Sequence, residues 1–303
     1  MSTTADTKTH EGTPLRLTAL ARLVRIEYCA LGAVGVLFGA YLTAGAVLAA
    51  PVLLSAAAVF FVAAGCYAFD DLSDLVCDGA NQRADRPLVT GELSARTART
   101  VGSTAFVLAV VAAIIAGTVA GLLIGLGAMV AMVYNRWLRG IIPLKNVLFA
   151  GVFPVPLLIG WLSGGGVAGP LFLYTLGLVF VVGLGFETMI DVADAEGDRR
   201  SGITTFATRY GTMLSSRLAA ALHIAAAALV VLLFFLPLDA RLRWNIVFLV
   251  PAAAAALSNS LIGINLVRNH SAARVLALKR QAFVTLNGGL LAILSGMLVV
   301  VPW

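Results

Sequence analysis

FDDLSDLVCDGANQRADRP, residues 69–87, closes a long apolar run with Asp70, Asp71, Asp74 and Asp78, followed by Arg83 and Arg86. The run before it, from Pro51 to Phe69, is long and apolar enough to cross a bilayer. The acids therefore belong at the mouth of a membrane span. Working outward, the composition agrees. Of 303 residues, 60% are hydrophobic and 12% charged, with a mean hydropathy of +0.96. A soluble domain carries roughly 25% charge. The chain reads as an all-α, polytopic membrane protein.

A transmembrane helix needs about 20 largely apolar residues. Nine segments qualify, near 26–49, 51–69, 97–116, 118–135, 146–163, 169–187, 213–236, 244–266 and 281–301. The third and fourth are separated because one helix through both would overshoot the bilayer, and Gly117 and Gly121 offer a break. With nine spans, 19 of the 21 Lys and Arg fall on one side, leaving Arg241 and Arg243 opposite. That asymmetry places the N-terminus and the acidic stretch on the cytoplasmic face of the cell membrane. Residues 1–15 are polar, without the apolar core of a secretory signal, and read as a disordered tail. Residues 16–303 read as a single domain with pseudo-repeat halves of about 16–140 and 141–303. The formal charge of +6 reads as topology signal and attraction to anionic headgroups, with no nucleic-acid role. Cys29, Cys66 and Cys77 lack metal or disulfide spacing and read as apolar fillers.

Eleven of the 15 acidic residues fall in two segments, 70–92 and 187–198. The second begins ETMIDVADAEGDRR, with Glu187, Asp191, Asp194 and Asp198 spaced four, three and four. At 100° per residue these acids occupy about 60° of a helix. A shift of 120 residues lays Asp71 on Asp191, Asp74 on Asp194, Asp78 on Asp198 and Gly91 on Gly211. The two segments are expected to face each other across a central cavity. Like charges at helical spacing repel, so such faces imply a bound cation. The arginines nearby, Arg83, Arg86, Arg199 and Arg200, are too few and too offset to neutralise every acid. Magnesium fits, because it takes oxygen ligands and shares them between carboxylates and a phosphate-bearing substrate. Asp70, Asp71, Asp74, Asp78, Glu187, Asp191, Asp194 and Asp198 are the candidate ligands. Magnesium, arginines and a greasy enclosure together suit an allylic prenyl diphosphate, whose leaving group they would draw away while water is kept out.

DDLSDLVCDGANQRADRPLVTGELS resembles the first aspartate motif of the UbiA superfamily of intramembrane prenyltransferases, NDxxDxxxD with an N-x-x-x-RP-x-x-x-G tail. Glu187 to Gly211 resembles the second, with Gly202, Ile203 and Thr205 matching its G-I-x-T element. The resemblance implies that Asp71, Asp74, Asp78, Asp191, Asp194 and Asp198 hold Mg²⁺ and through it the diphosphate. It also implies that Arg25, Arg83, Arg86, Arg139 and Lys145 contact the diphosphate, and that Tyr134 of VYNRWLRGIIPLKNV works beside donor or acceptor, with Asn146 the next landmark. Asp70 stands where the family has Asn, and Arg139 where it has Lys. With Asp70 the motif reads DDxxD, as in soluble isoprenyl diphosphate synthases and terpene cyclases.

The expected function is Mg²⁺-dependent transfer of an isoprenoid chain from its diphosphate to a small aromatic or lipid acceptor. Two alternatives stay open: a membrane terpene cyclase using the diphosphate alone, and a cation transporter, since intramembrane acids also mark ion routes. Smaller signals have structural readings. Gly35 and Gly39, and Gly117, Gly121 and Gly125, have helix-packing spacing. His223 lies within a span without ligand spacing to another histidine; it reads as packing or, less commonly, as a base.

Overall fold

The computed structural model describes residues 12–45, 47–80, 83–117, 121, 144–200 and 202–299. Among them every regular element is helical. The helices are α1 (Gly12–Leu23), α2 (Ile26–Ala44), α3 (Ala50–Ser73), α4 (Leu75–Ala80), α5 (Ala95–Ala116) and α6 (Leu144–Val152). They continue as α7 (Val155–Gly164), α8 (Pro170–Arg200), α9 (Phe206–Tyr210), α10 (Thr212–Leu232), α11 (Ile246–Arg268) and α12 (Ala272–Leu298). Eight stretches are long and apolar enough to span a membrane, with α6 and α7 counted as one. Each coincides with an expected span. The expected fourth, 118–135, lies outside the described residues except at Gly121, and Tyr134 and Arg139 lie outside them too.

Local chemistry explains the ends. Gly117 closes α5 at φ 120°, a conformation that glycine adopts readily, so the third apolar run stops where expected. Ser94 opens the same helix by accepting a hydrogen bond from the Thr97 amide at 3.1 Å. The 146–163 segment differs from expectation. It breaks at Pro154, because prolines 154 and 156 lack the amide hydrogens that a continuous helix would need there. At 31 residues, α8 is about 46 Å long, well beyond the ~30 Å hydrocarbon layer. Its C-terminal overhang carries the second acidic segment as continuous helix. The first segment is different: α3 stops at Ser73, Asp74 caps it, and α4 starts afresh.

Glycine lets α2 and α7 touch. A Cβ on Gly39 would sit 2.2 Å from the Leu157 carbonyl oxygen, and one on Gly160 would sit 2.0 Å from that of Val36. The Gly35–Gly39 pair thus has the packing role its spacing suggested. Buried apolar residues form several clusters instead of one centre. Phe172, Phe248 and Met297 pack at one end of α8, α11 and α12; Met189, Ile262 and Val275 pack nearer the acidic end. Large apolar residues such as Ile114, Leu257 and Leu291 are exposed on helix faces, the arrangement a lipid solvent favours.

Candidate active site

The acids gather where the ends of α3 and α8 meet the start of α2 and α6. Arg25 has a left-handed backbone (φ 49°) that separates α1 from α2. Its guanidinium lies 4.5 Å over the Tyr67 ring and donates to Asp71 Oδ1 at 2.8 Å. Arg86, in the loop after α4, donates to the same oxygen at 3.0 Å, while its Nε lies 3.3 Å from Asp78 Oδ2. The second cluster has a matching base. Lys145 pairs with Asp191 Oδ1 and the Asn146 amide donates to Asp191 Oδ2 at 2.8 Å. Asp71 and Asp191 are the deepest acids, each with a side chain 1% exposed.

Arg83 ties the clusters together. It chelates Asp85 through two hydrogen bonds of 2.8 and 2.9 Å, and its third nitrogen lies 3.7 Å from Asp194 Oδ1. The ledge after α3 and the face of α8 therefore meet, as the paired motifs implied. Asp78 and Asp198 are buried; Asp70, Asp74, Asp194 and Glu187 are half-buried. Glu187 stands in the field of Lys145 and Lys279.

The positive groups are more numerous and better matched than the sequence suggested. Asp71, Asp78, Asp191 and Asp194 all have cationic partners, Arg83 and Arg86 from the motif itself and Arg25 and Lys145 from outside it. Folding brings bases from distant segments, Arg25 and Lys145, which spacing within either acidic motif cannot show. Lys279 is a further base that was overlooked. The last span was expected from 281, but α12 begins at Ala272 and lifts Lys279 onto the helix, with its ammonium 5.5 Å from the centre of the Tyr28 ring. Its position two residues before the apolar run was the available signal.

Electrostatics outside the spans follow from these contacts. The Arg83 hydrogen bonds hold the Asp85 carboxyl down at about 2. Burial pushes Asp78 up, against the pull of Arg86 and Arg83. Burial and the facing Arg25 guanidinium pull Arg86 down.

The donors fit magnesium. They are hard carboxylate oxygens, and Asp71 Oδ2 is buried without a hydrogen-bond partner among the described residues. No three of the described acids converge into a ready cage. Magnesium seldom uses one: it usually keeps water and binds through one or two carboxylates plus substrate phosphates. Two ledges flanked by arginine and lysine provide for that division of ligands.

Membrane helices around paired acid and base clusters define a class, helical membrane proteins with a charged site at the ends of their spans. The model of the UbiA prenyltransferase family matches residues 33–287, and the chain belongs to that family. It is accordingly a prenyltransferase. It is 30% identical, over 247 residues, to the digeranylgeranylglyceryl phosphate synthase of Methanopyrus kandleri, covering 81% of this chain and 89% of that one. The structure resembles a UbiA homolog from Aeropyrum pernix K1 with a TM-score of 0.72 and 24% identity, over 90% of this chain and 99% of that one. It also resembles a UbiA homolog from Archaeoglobus fulgidus bound to GPP and Mg²⁺, with a TM-score of 0.61 and 19% identity, over 93% and 100% of the two chains.

Proposed function

We propose that this protein transfers an isoprenoid chain from an allylic prenyl diphosphate to a small lipid or aromatic acceptor, in a Mg²⁺-dependent reaction at the cytoplasmic face of the cell membrane. The observation that carries the reading is the junction of the two acid clusters through Arg83 and Asp194, with Arg25, Arg86 and Lys145 around it. Asp71, Asp74, Asp78, Asp191, Asp194 and Asp198 would hold Mg²⁺, with Asp70 and Glu187 at the margins. When bound, the metal supplies electrophilic pull on the leaving diphosphate. Arg25, Arg86 and Lys145 bind phosphate oxygens and steady the charge that grows as the carbon–oxygen bond breaks toward an allylic cation. Tyr28, in ring contact with both Tyr67 and Phe283, presents with them π-faces beside that carbon and excludes water. The name of the Methanopyrus relative supports a glycerol-phosphate lipid as acceptor, and GPP in the Archaeoglobus structure supports the donor class.

The test uses protein purified in detergent, given dimethylallyl, geranyl, farnesyl or geranylgeranyl diphosphate with and without acceptors. Diphosphate release and prenylated product should appear with Mg²⁺ and vanish with EDTA. Folded protein that released no diphosphate from any donor would overturn the proposal. A cyclic hydrocarbon formed without acceptor would make it a cyclase instead. Magnesium flux into liposomes without a prenyl substrate would make it a transporter.

A further inference from the structure

Directly beneath the acid clusters lies a largely enclosed space of about 20 Å³, walled by aromatic rings including Tyr28, Phe153, Phe186 and Phe283. That is room for about one water or hydroxyl group. His223 of α10 enters it. The imidazole is 1% exposed, and its Nδ1 is 2.9 Å from Asn259 Oδ1 on α11, while Nε2 is buried with no partner among the described residues. Because the Asn oxygen only accepts, Nδ1 carries the proton, and Nε2 is left with an unpartnered lone pair on a ring that lines the space. A buried acceptor left open in this way costs about 1–3 kcal/mol. A donor brought by a ligand would satisfy it.

The position along the helices matters. Phe186 precedes Asp191 by five residues, about 7.5 Å of helix rise, and Tyr28 follows Arg25 by three. A diphosphate held at the level of Asp71 and Asp191 therefore directs its first carbon down toward the mouth of this space, which has room for the acceptor hydroxyl. On that basis, and resting on the prenyltransferase reading above, we infer that His223 Nε2 is the base for an acceptor that reacts through a hydroxyl group, with Asn259 as its positioning residue. The donor carbon–oxygen bond breaks and its electron pair leaves with diphosphate. The acceptor oxygen forms the new bond to that carbon, and the hydroxyl proton passes to Nε2. The product is an ether, and the imidazolium is neutral again once it returns the proton to the departing diphosphate. This specifies an O–H acceptor over a ring carbon.

The experiment compares wild type with His223→Gln and His223→Ala in detergent, using geranyl diphosphate and Mg²⁺ with either a 1-O-alkylglycerol 3-phosphate or 4-hydroxybenzoate as acceptor. Wild type should form the alkylglycerol ether. Both variants should bind geranyl diphosphate with Mg²⁺ as wild type does in calorimetry, yet lose about 10²–10⁴-fold in kcat for ether formation. Added imidazole should restore part of the His223→Ala rate and leave the wild-type rate unchanged. Ether formation by His223→Gln within about threefold of wild type would overturn the inference, as would loss of donor binding in step with turnover. Wild type that prenylates only the ring carbon of 4-hydroxybenzoate would overturn it while leaving the prenyltransferase reading intact. Absence of diphosphate release by wild type with either acceptor would overturn both.

Discussion

Asp71 and Asp191 stand 120 positions apart and are held alike: each is buried, and each receives a cation from the residue 46 positions earlier, Arg25 in one case and Lys145 in the other. Arg25 and Lys145 are themselves 120 apart. The correspondence extends to the helices, since α3 begins at Ala50 and α8 at Pro170. An acid and its base recur together in both halves.

Truncating the deep acid and the shallow one should separate stability from turnover. Asp71→Ala takes from Arg25 its carboxylate partner and leaves Arg86 with Asp78 alone, a change that costs about 3–5 kcal/mol. Asp194 has a side chain 41% exposed and a 3.7 Å contact with Arg83, so Asp194→Ala should melt close to wild type. Both variants should lose Mg²⁺-dependent diphosphate release. Melting curves in detergent beside a diphosphate assay check the pair, and near-normal release by Asp194→Ala would remove that acid from the site.

Arg83→Ala severs the link between the two ledges. The donor KM should rise about tenfold, equivalent to ~1.4 kcal/mol of binding, with little change in melting because Asp85 is largely exposed. Arg83→Lys should not restore it, because a single ammonium cannot chelate Asp85 while reaching Asp194. Steady-state kinetics with geranyl diphosphate are the measurement.

Gly39→Ala and Gly160→Ala should each destabilise the α2–α7 contact, since the added methyl would lie about 2 Å from a carbonyl oxygen of the opposite helix. Overpacking of this kind costs about 1–3 kcal/mol. The readout is a lower melting temperature in both variants, with Gly45→Ala a poor control because its φ of 68° is itself strained.

A pH signature should come from the loop between α10 and α11, at the end of the molecule away from the acids. Asp239 accepts two hydrogen bonds from the Arg241 guanidinium, at 3.0 and 2.7 Å, and one from its amide at 2.9 Å. These hold its carboxyl below the usual range. A depressed folded value means stability that is complete above the unfolded value, about pH 4. It is lost as pH falls through the folded one. Asp239→Asn should cost about 1 kcal/mol at pH 7. The gap from wild type should close in acid, with activity at pH 7 unchanged. Melting temperatures between pH 3 and 7 test the sign.

Much of the site was legible because its chemistry repeats along the chain. The four-three-four spacing from Glu187 to Asp198 placed those acids on one helical face, and α8 carries them as continuous helix. The same spacing at Asp71, Asp74 and Asp78 was less informative, because the helix stops at Ser73 and restarts at Leu75. The Pro154 break was legible in principle, from the prolines at 154 and 156, but the segment's uniform hydropathy masked it.

Hydrophobicity and charge placement are one-dimensional properties, so the amino-acid order by itself determined a helical membrane protein and the pairing of its two acidic segments. Partnership is three-dimensional. That Arg25 closes on Asp71, that Arg83 reaches Asp194, that Lys279 lies over Tyr28, and that His223 lines an aromatic hollow with Nε2 unpartnered among the described residues all depend on which helices pack together. Contacts between residues tens of positions apart leave no periodic trace in the chain, and only the tertiary structure decided them.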